Sequence, residues 1–473
     1  MMADNVIQPL DLKELSFQYA GKLLLRNEIM LNEPSFQQLL ANNLLTGKKS
    51  IIQKNFHYQC QRCGNKNPHL FEKLPCQKCH HTHRYCRKCI EMGRVSECEL
   101  LYYWNENEPN WSHHVDPCSW QGTLTVVQQK AAARIVNAVQ KKEPELLVWA
   151  VCGAGKTEML FPGITEALST GKRICLATPR ADVVRELLPR LQRAFQTVSI
   201  QALYGGSENK LGAAQLIIAT THQLLRYQEA FDVMIIDEID AFPYHADKSL
   251  PYAAERAKKS ESTTIYLTAT PRKEHKKAMR RKKLPHIFVP VRFHGQPLPI
   301  PKKVMCHGLK RDLNNYYPPS AFLKWVKSRK NPKRQLLIFV PSITLAEKIK
   351  PFISMHLRKV GILLSEEKLQ SVHASDVNRE EKVQEFRAKE IFILITTTIL
   401  ERGVTFPSVD VAILDAGHDV FDEAALVQIA GRAGRSPEDP TGEVLFFHDG
   451  KTEAMVQAID SINSMNKRGA FLK

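Results

Sequence analysis

The run Ala150-Val151-Cys152-Gly153-Ala154-Gly155-Lys156-Thr157 has the residues of a phosphate-holding loop. Gly153 and Gly155 let the backbone curl so that its N–H groups face one centre, and a helix opening at Lys156 adds the positive end of its dipole. In such a loop Lys156 reaches the β and γ phosphates of ATP, and the Thr157 hydroxyl ligates Mg²⁺. Ala150 replaces the first glycine of the usual pattern, a departure that the strand–loop–helix setting compensates. Downstream, MIIDEID at 234–240 puts Asp237 and Glu238 at the carboxyl end of an apolar run, where parallel strands face a ligand crevice. Asp237 is expected in the Mg²⁺ shell and Glu238 as the group that polarises the attacking water.

A second chemistry lies in the cysteines. Of eleven, eight fall in one stretch: Cys60, Cys63, Cys76, Cys79, Cys86, Cys89, Cys98 and Cys118. Three C-x-x-C knuckles offer six thiolates, whereas one Zn²⁺ takes four, so the pairing is left open. Spacing alone favours Cys60, Cys63, Cys76 and Cys79. An odd cysteine total behind an N-terminus without a signal-like pattern argues for metal thiolates in a reducing cytoplasm rather than disulfides. An all-thiolate zinc keeps no open position and is structural. Tyr102, Tyr103, Trp104 and Trp111 are expected mainly to pack around this module, although they could stack on bases.

The elements that must position these groups are legible as apolar runs. Segments 145–151, 173–179, 215–221, 231–237 and 264–270 are near-continuous and of strand length, separated by amphipathic stretches. That texture predicts parallel sheets covered by helices. It returns at 335–341, 391–397, 409–417 and 442–448 after a basic and proline-rich break at 272–301, which reads as a linker. The predicted fold is therefore α/β, with tandem domains preceded by a small cysteine-rich module. Expected divisions are a helical N-terminal segment at 1–55, a zinc module at 56–115, an ATP-binding domain at 116–290 and a second domain at 291–473. The 473 residues carry 66 Lys and Arg against 49 Asp and Glu, a formal charge of +17. With 43% apolar residues the chain is neither disordered nor rich enough in long apolar runs to span a bilayer. The excess charge suits a polyanion.

In order along the chain, TLTVVQQ, the phosphate loop, DEID, TATP (268–271), TTTILERGVTFP (396–407) and QIAGRAGR (428–435) resemble the motifs of superfamily 2 helicases and translocases. The resemblance implies tandem RecA-like domains, with Gln128 contacting the adenine edge. It also implies that Gln428, Arg432 and Arg435 act from the second domain on a nucleotide held by the first. Arg432 and Arg435, three apart at an expected helix start, would both face the cleft, and an arginine finger is worth ~10³–10⁵ in rate. The same resemblance puts Arg180, Gly205, Gly206, Thr220, Thr221, Thr397 and Thr398 on a nucleic-acid track read through phosphates. The basic run at 271–283 is expected beside that groove, with Lys276, Lys277, Arg280 and Arg281 setting the salt dependence. Arg62, Arg84, Arg87 and Lys88 extend the basic surface through the cysteine module.

Taken with CQRCG, RYCRKCIEMGRVSE (84–97), AVCGAGKTEMLFPGI (150–164) and TTHQLLRY (220–227), the chain resembles the ComFA family of late competence ATPases. That resemblance implies zinc on Cys60, Cys63, Cys86 and Cys89, leaving Cys76 and Cys79 as a second pair beside Cys98, His80, His81 or His83. It further implies a cytoplasmic translocase of single-stranded DNA, peripheral at the inner face of the membrane. Expected partners are a DNA-uptake channel and other competence proteins, with oligomerisation possible. Two alternatives stand beside it: a PriA-like replication restart helicase, and a nucleic-acid-binding regulator that is not a motor. A DEAD-box RNA helicase fits less well, because motif II reads DEID and motif VI reads QIAGRAGR.

Overall fold

A computed structural model describes residues 11–55, 57–106, 108–207, 211–400 and 406–471. The 401–405 portion of the motif at 396–407 therefore lies outside the described residues. Residues expected to be wholly helical begin with α1 (Leu12–Tyr19) and α2 (Glu33–Ala41) but continue into β1 (Leu45–Lys49) and β2 (Ile51–Lys54). Asp11 and Asn32 cap the two helices, accepting backbone N–H bonds that helix starts leave unmet. The cysteine-rich stretch supplies β3 (His57–Cys60), β4 (Phe71–Pro75), β5 (Thr82–Cys86), β6 (Val95–Ser96) and β7 (Leu100–Trp104). Antiparallel pairing runs across the junction between the two segments: β1 lies on β7 and β2 on β3, while β4, β5 and β6 form a sheet of their own.

The next stretch comprises α3 (Val126–Gln140), β8 (Glu145–Ala150), α4 (Lys156–Ser169), β9 (Ile174–Thr178), α5 (Ala181–Ala194), β10 (Ile200–Leu203), β11 (Leu216–Thr220) and β12 (Phe231–Asp237). It ends with α6 (Ser249–Ala257), β13 (Lys258–Thr268), α7 (Lys273–Arg280) and β14 (His286–Val289). Its seven strands are all parallel, in the order β10-β11-β9-β12-β13-β8-β14. The strands are apolar and buried because helices cover both faces, as the runs required.

A second parallel sheet, of six strands, follows. Its elements begin with β15 (Lys302–Met305), α8 (Leu309–Asn314), α9 (Ser320–Lys327), β16 (Gln335–Phe339), α10 (Ile343–Lys359) and β17 (Leu369–Val372). They continue with α11 (Arg379–Arg387), β18 (Ile393–Thr396), β19 (Val409–Leu414), α12 (Glu423–Ala430), β20 (Val444–His448) and α13 (Glu453–Ala470), and the strand order is β15-β20-β19-β16-β18-β17. These are tandem RecA-like domains. Among the described residues no helix is long and apolar enough to cross a membrane.

The break at 272–301 is only partly a linker. The basic run folds as α7, which buries Met279, and HIFV adds β14 to the edge of the first sheet beside β8. Charge density hid an amphipathic helix: its basic residues lie outward while one face still packs.

Candidate nucleotide site and metal centre

Both loops expected to hold nucleotide end strands on the carboxyl side of the first sheet. Gly153 and Gly155 have φ of +79° and +70°, a left-handed bend that a β-carbon would strain. At Gly155 a β-carbon would also collide with the Gln128 amide. Gly155 hands the chain to α4 at Lys156 with no side-chain cap, so the first N–H groups of the helix face the cleft. One cleft of about 450 Å³ is lined by Gln128, Cys152 to Thr157, Asp237, Glu238, Gln428, Arg432 and Arg435. Ala150 and Val151 lie beneath it, buried. The structure thus brings the loop residues, both acids and the three second-domain residues to one place.

Burial pushes the Asp237 carboxyl up to about 6; the Lys156 ammonium opposes this and the Glu238 carboxylate adds to it. A carboxyl so placed favours a cation beside it. Arg432 is fully buried, and its guanidinium is driven well below the usual arginine range by desolvation and then by Arg435. An anion would relieve both costs. Gln428 Oε1 accepts a hydrogen bond from Cys152 Sγ at 2.9 Å, while its Nε2 is buried without a partner among the described residues. These features fit Mg²⁺-ATP: a donor loop, an acid at the metal position and two guanidiniums opposite.

Three expectations change. Gln128 is engaged by the protein: Oε1 accepts from Thr125 N–H at 2.8 Å and Nε2 donates to the Ala154 carbonyl at 2.9 Å, so it supports the loop directly. Arg432 and Arg435 stand past the carboxyl end of α12 rather than at a helix start, because the helix ends at Ala430 and Gly434 takes φ +64°. Arg272 and Lys276, expected beside the nucleic-acid track, are engaged within the protein. Arg272 pairs with Asp422 at 3.1 Å and Lys276 with Glu423 at 2.8 Å, tying α7 to the start of α12. Lys277, Arg280 and Arg281 remain at the surface.

This latch continues into the first sheet. Asp240 accepts hydrogen bonds from Thr268 Oγ1 at 2.5 Å and from Thr270, and its carbonyl accepts from Arg272 at 2.8 Å. The path runs from the acids of DEID through TATP to the helix carrying Gln428. Arg292 was not foreseen. Buried between the phosphate loop and Gly434, whose carbonyl it bonds, it has its pKa lowered to about 10 by burial and Arg435. Phe293, also unforeseen, lines the cleft, and its N–H bonds the Gly153 carbonyl at 3.0 Å. Both sit in VPVRFHG, where proline-rich composition masked them.

On the expected track, Gly205 and Gly206 are exposed with open space around them, and Thr397 and Thr398 are half-buried. Arg180 donates to the Ile399 carbonyl at 2.7 Å, bridging the two domains. Thr220 and Thr221 are buried at 7% and 0% exposure, so the hydroxyl contacts expected of them are not available at the surface; the chain turns inward after β11.

The cysteines resolve by three-dimensional placement. Cys60, Cys63, Cys86 and Cys89 are buried, with all four sulfurs within 4.8 Å of one another. The Cys60–Cys89 and Cys63–Cys86 sulfur separations are 3.8 and 3.5 Å. A tetrahedral zinc with bonds of about 2.3 Å needs edges of about 3.8 Å. Neighbouring thiols hold Cys60 well below the usual thiol range and push Cys63 and Cys89 above it, a crowding that a cation would relieve. The set suggested by spacing alone is set aside, since Cys76 and Cys79 lie at the opposite end of the β4–β5 hairpin.

The module packs against the first RecA-like domain. Arg62 is fully buried, paired at 2.7 Å with Glu28, which also holds Arg226 at 2.7 Å. Arg256 donates to the carbonyls of Gln61 at 3.0 Å and Leu225 at 2.7 Å. Arg62 is therefore structural rather than part of a basic surface. Arg84, Arg87 and Lys88 pair with Glu97, Glu72 and Asp247. Trp104 and Trp111 are buried, as packing residues are.

A sequence model described as the competence protein ComFA N-terminal domain matches residues 11–103. Others, described as type III restriction enzyme, res subunit and as helicase conserved C-terminal domain, match 121–273 and 319–437. Competence protein ComFA of Bacillus subtilis (strain 168) is 46% identical over 460 residues, 97% of this chain and 96% of that protein. The chain belongs to the ComFA family. ComFA of Streptococcus pneumoniae (strain ATCC BAA-255 / R6) is 38% identical across 97% of this chain and all of that one. Among solved structures, S. cerevisiae Dbp5 bound to RNA and ADP BeF3 aligns with a TM-score of 0.52 at 15% identity, covering 72% of this chain and 88% of that chain. Mycobacterium smegmatis helicase Lhr bound to ssDNA and AMP-PNP gives 0.51 at 17%, covering 75% and 51%. These two establish the fold alone. Family and domains together make this ComFA member a competence-related, ATP-hydrolysing enzyme of the superfamily 2 helicase type.

Proposed function

We propose that the protein is an ATP-driven translocase that moves single-stranded DNA inward during competence. The observation that carries this reading is the single cleft in which Lys156, Asp237 and Glu238 of one RecA-like domain meet Gln428, Arg432 and Arg435 of the other. Phosphoryl transfer requires positioning and charge neutralisation, and a site divided between domains couples both to their relative movement.

The loop N–H groups and Lys156 would hold the phosphates. Thr157 and Asp237 would hold Mg²⁺, which when bound neutralises charge on the β and γ phosphates. Glu238 orients the attacking water, and Arg432 and Arg435 stabilise charge as the γ phosphate departs. Losing that phosphate removes the anion to which the two arginines had been drawn, so their mutual repulsion and burial cost favour opening. The Asp240–Arg272–Asp422 path gives the opening a mechanical route. Alternating closed and open states shift Gly205, Gly206 and Arg180 relative to Thr397 and Thr398, the step that moves a strand held by its phosphates. In this reading the protein sits peripherally at the inner membrane face beside a DNA-uptake channel. Family membership favours this over replication restart, and the complete set of ATP-site residues favours a motor over a silent regulator.

Steady-state ATPase with single-stranded DNA, duplex DNA and RNA tests the proposal. Single-stranded DNA is expected to stimulate most; preferential stimulation by RNA overturns it.

A further inference from the structure

The described residues contain a second thiolate cluster that the motor and the buried metal centre leave unexplained. Cys76, Cys79 and Cys98 have sulfurs within 4.8 Å of one another, and Cys79 Sγ lies 3.0 Å from His83 Nε2. We propose that these four residues form a second zinc site of Cys₃His type, at the outer end of the β4–β5–β6 sheet.

Its assembly follows from the strand register. Leu74 faces His83 across the β4–β5 hairpin, and the turn closes with Cys76 N–H donating to the His81 carbonyl at 2.9 Å. That turn is the Cys76-Gln77-Lys78-Cys79 knuckle, with His80 at φ +58°. On the other side of β5, Tyr85 pairs with Ser96 and the Glu97 N–H reaches the Arg84 carbonyl at 2.9 Å, so Cys98 arrives beside His83. Three separate segments thus bring the three sulfurs together, with the His83 imidazole against Cys79 at the edge of the group. Chance would not ordinarily collect three thiols and an imidazole at a solvent-exposed sheet end, and soft sulfur with imidazole is a donor set that selects zinc.

Among the described residues no buried apolar side chain lies at this sheet end. Glu72, Lys73, Leu74 and Pro75 are exposed, as are Gln77 to Thr82 with Cys79 among them, and Leu74 is 40% exposed. A hairpin without an apolar face is marginal in water. At its inner end the same sheet is fixed by Cys86 of the buried centre, three residues along β5 from His83, or about 10 Å. That spacing makes two separate mononuclear sites rather than one shared cluster. The outer site is exposed where the inner one is buried, so it should exchange metal more readily.

The test uses full-length protein purified without chelator. Zinc content is expected at about two equivalents per chain, falling to about one in Cys98→Ser and in Cys76→Ser. In the wild type, a colorimetric chelator should release zinc in two phases, and only the faster should vanish in Cys98→Ser. About one equivalent in the wild type, retained in Cys98→Ser, overturns the proposal. So does a disulfide between any two of Cys76, Cys79 and Cys98 found by intact mass in the zinc-loaded protein. Because both readouts concern metal alone, they stand apart from the ATPase measurements.

Discussion

The carboxylate of Glu28 offers a sharp test of how the metal module is joined to the motor. It lies between two guanidiniums, bonding Arg62 Nη2 through both oxygens at 2.7 Å, Arg226 Nε at 2.7 Å and the Leu25 N–H at 2.9 Å. Side-chain exposures are 12% for Glu28, 0% for Arg62 and 13% for Arg226, so solvent cannot replace a missing partner. Glu28→Gln keeps the shape and removes the charge. Breaking one partner out of a buried pair costs ~3–5 kcal/mol, and the retained amide oxygen argues for about 3. That corresponds to roughly a hundredfold rise in local opening.

Hydrogen exchange on peptides covering 23–29, 57–65 and 221–227 reads this directly. Exchange there should accelerate by about two orders of magnitude, while the second-domain strands remain unchanged. Unchanged exchange, or uniform acceleration throughout the chain, refutes the reasoning. The pH dependence supplies a second check. Burial raises the Glu28 pKa, but Arg62 and then Arg226 outweigh it and hold the group below the ordinary glutamate value. Its contribution is therefore complete above the unfolded value of about 4.3 and disappears as pH falls through the lower folded value. Wild-type peptides should loosen in that acid window, and those of Glu28→Gln should show no such step.

Other expectations follow from the same geometry. Lys156→Ala and Glu238→Gln should each abolish turnover, with nucleotide binding retained in Glu238→Gln, as filter binding would record. Asp422→Asn with Glu423→Gln keeps the α12 cap but removes both latch charges; at ~0.5–1 kcal/mol per partly exposed pair, DNA stimulation of ATPase should fall a few-fold. Alanine at Lys277, Arg280 and Arg281 should reduce the log–log salt slope of single-strand binding by about 0.7 for each phosphate no longer neutralised, whereas Lys276→Ala should not change it. Gly64→Ala should loosen the docked module, because φ is +70° and a β-carbon would lie 2.7 Å from the Tyr252 ring; a lower melting temperature and faster zinc release would register it.

Much of the ATP site was legible because its residues act through local geometry. Gly153, Gly155, Lys156 and Thr157 belong to a single turn, and Asp237 and Glu238 to one strand end. Arg292 and Phe293 were not legible: nothing local distinguishes them, and they enter the site only because β14 joins the first sheet beside β8. Likewise α7 read as a basic stretch of linker beside the nucleic-acid track until Asp422 and Glu423 were placed opposite it.

The sequence by itself determined two parallel α/β domains and the phosphate loop, since apolar periodicity and glycine placement are properties of neighbouring residues. It also supplied the number of thiolates, but not their partition. Only the tertiary structure decided that Cys60 and Cys63 meet Cys86 and Cys89, while Cys76 and Cys79 turn to the far end of the same hairpin. The physical reason is that a metal selects ligands by distance in space. Two knuckles adjacent in sequence can be held at opposite ends of one strand pair, whose register no local pattern encodes.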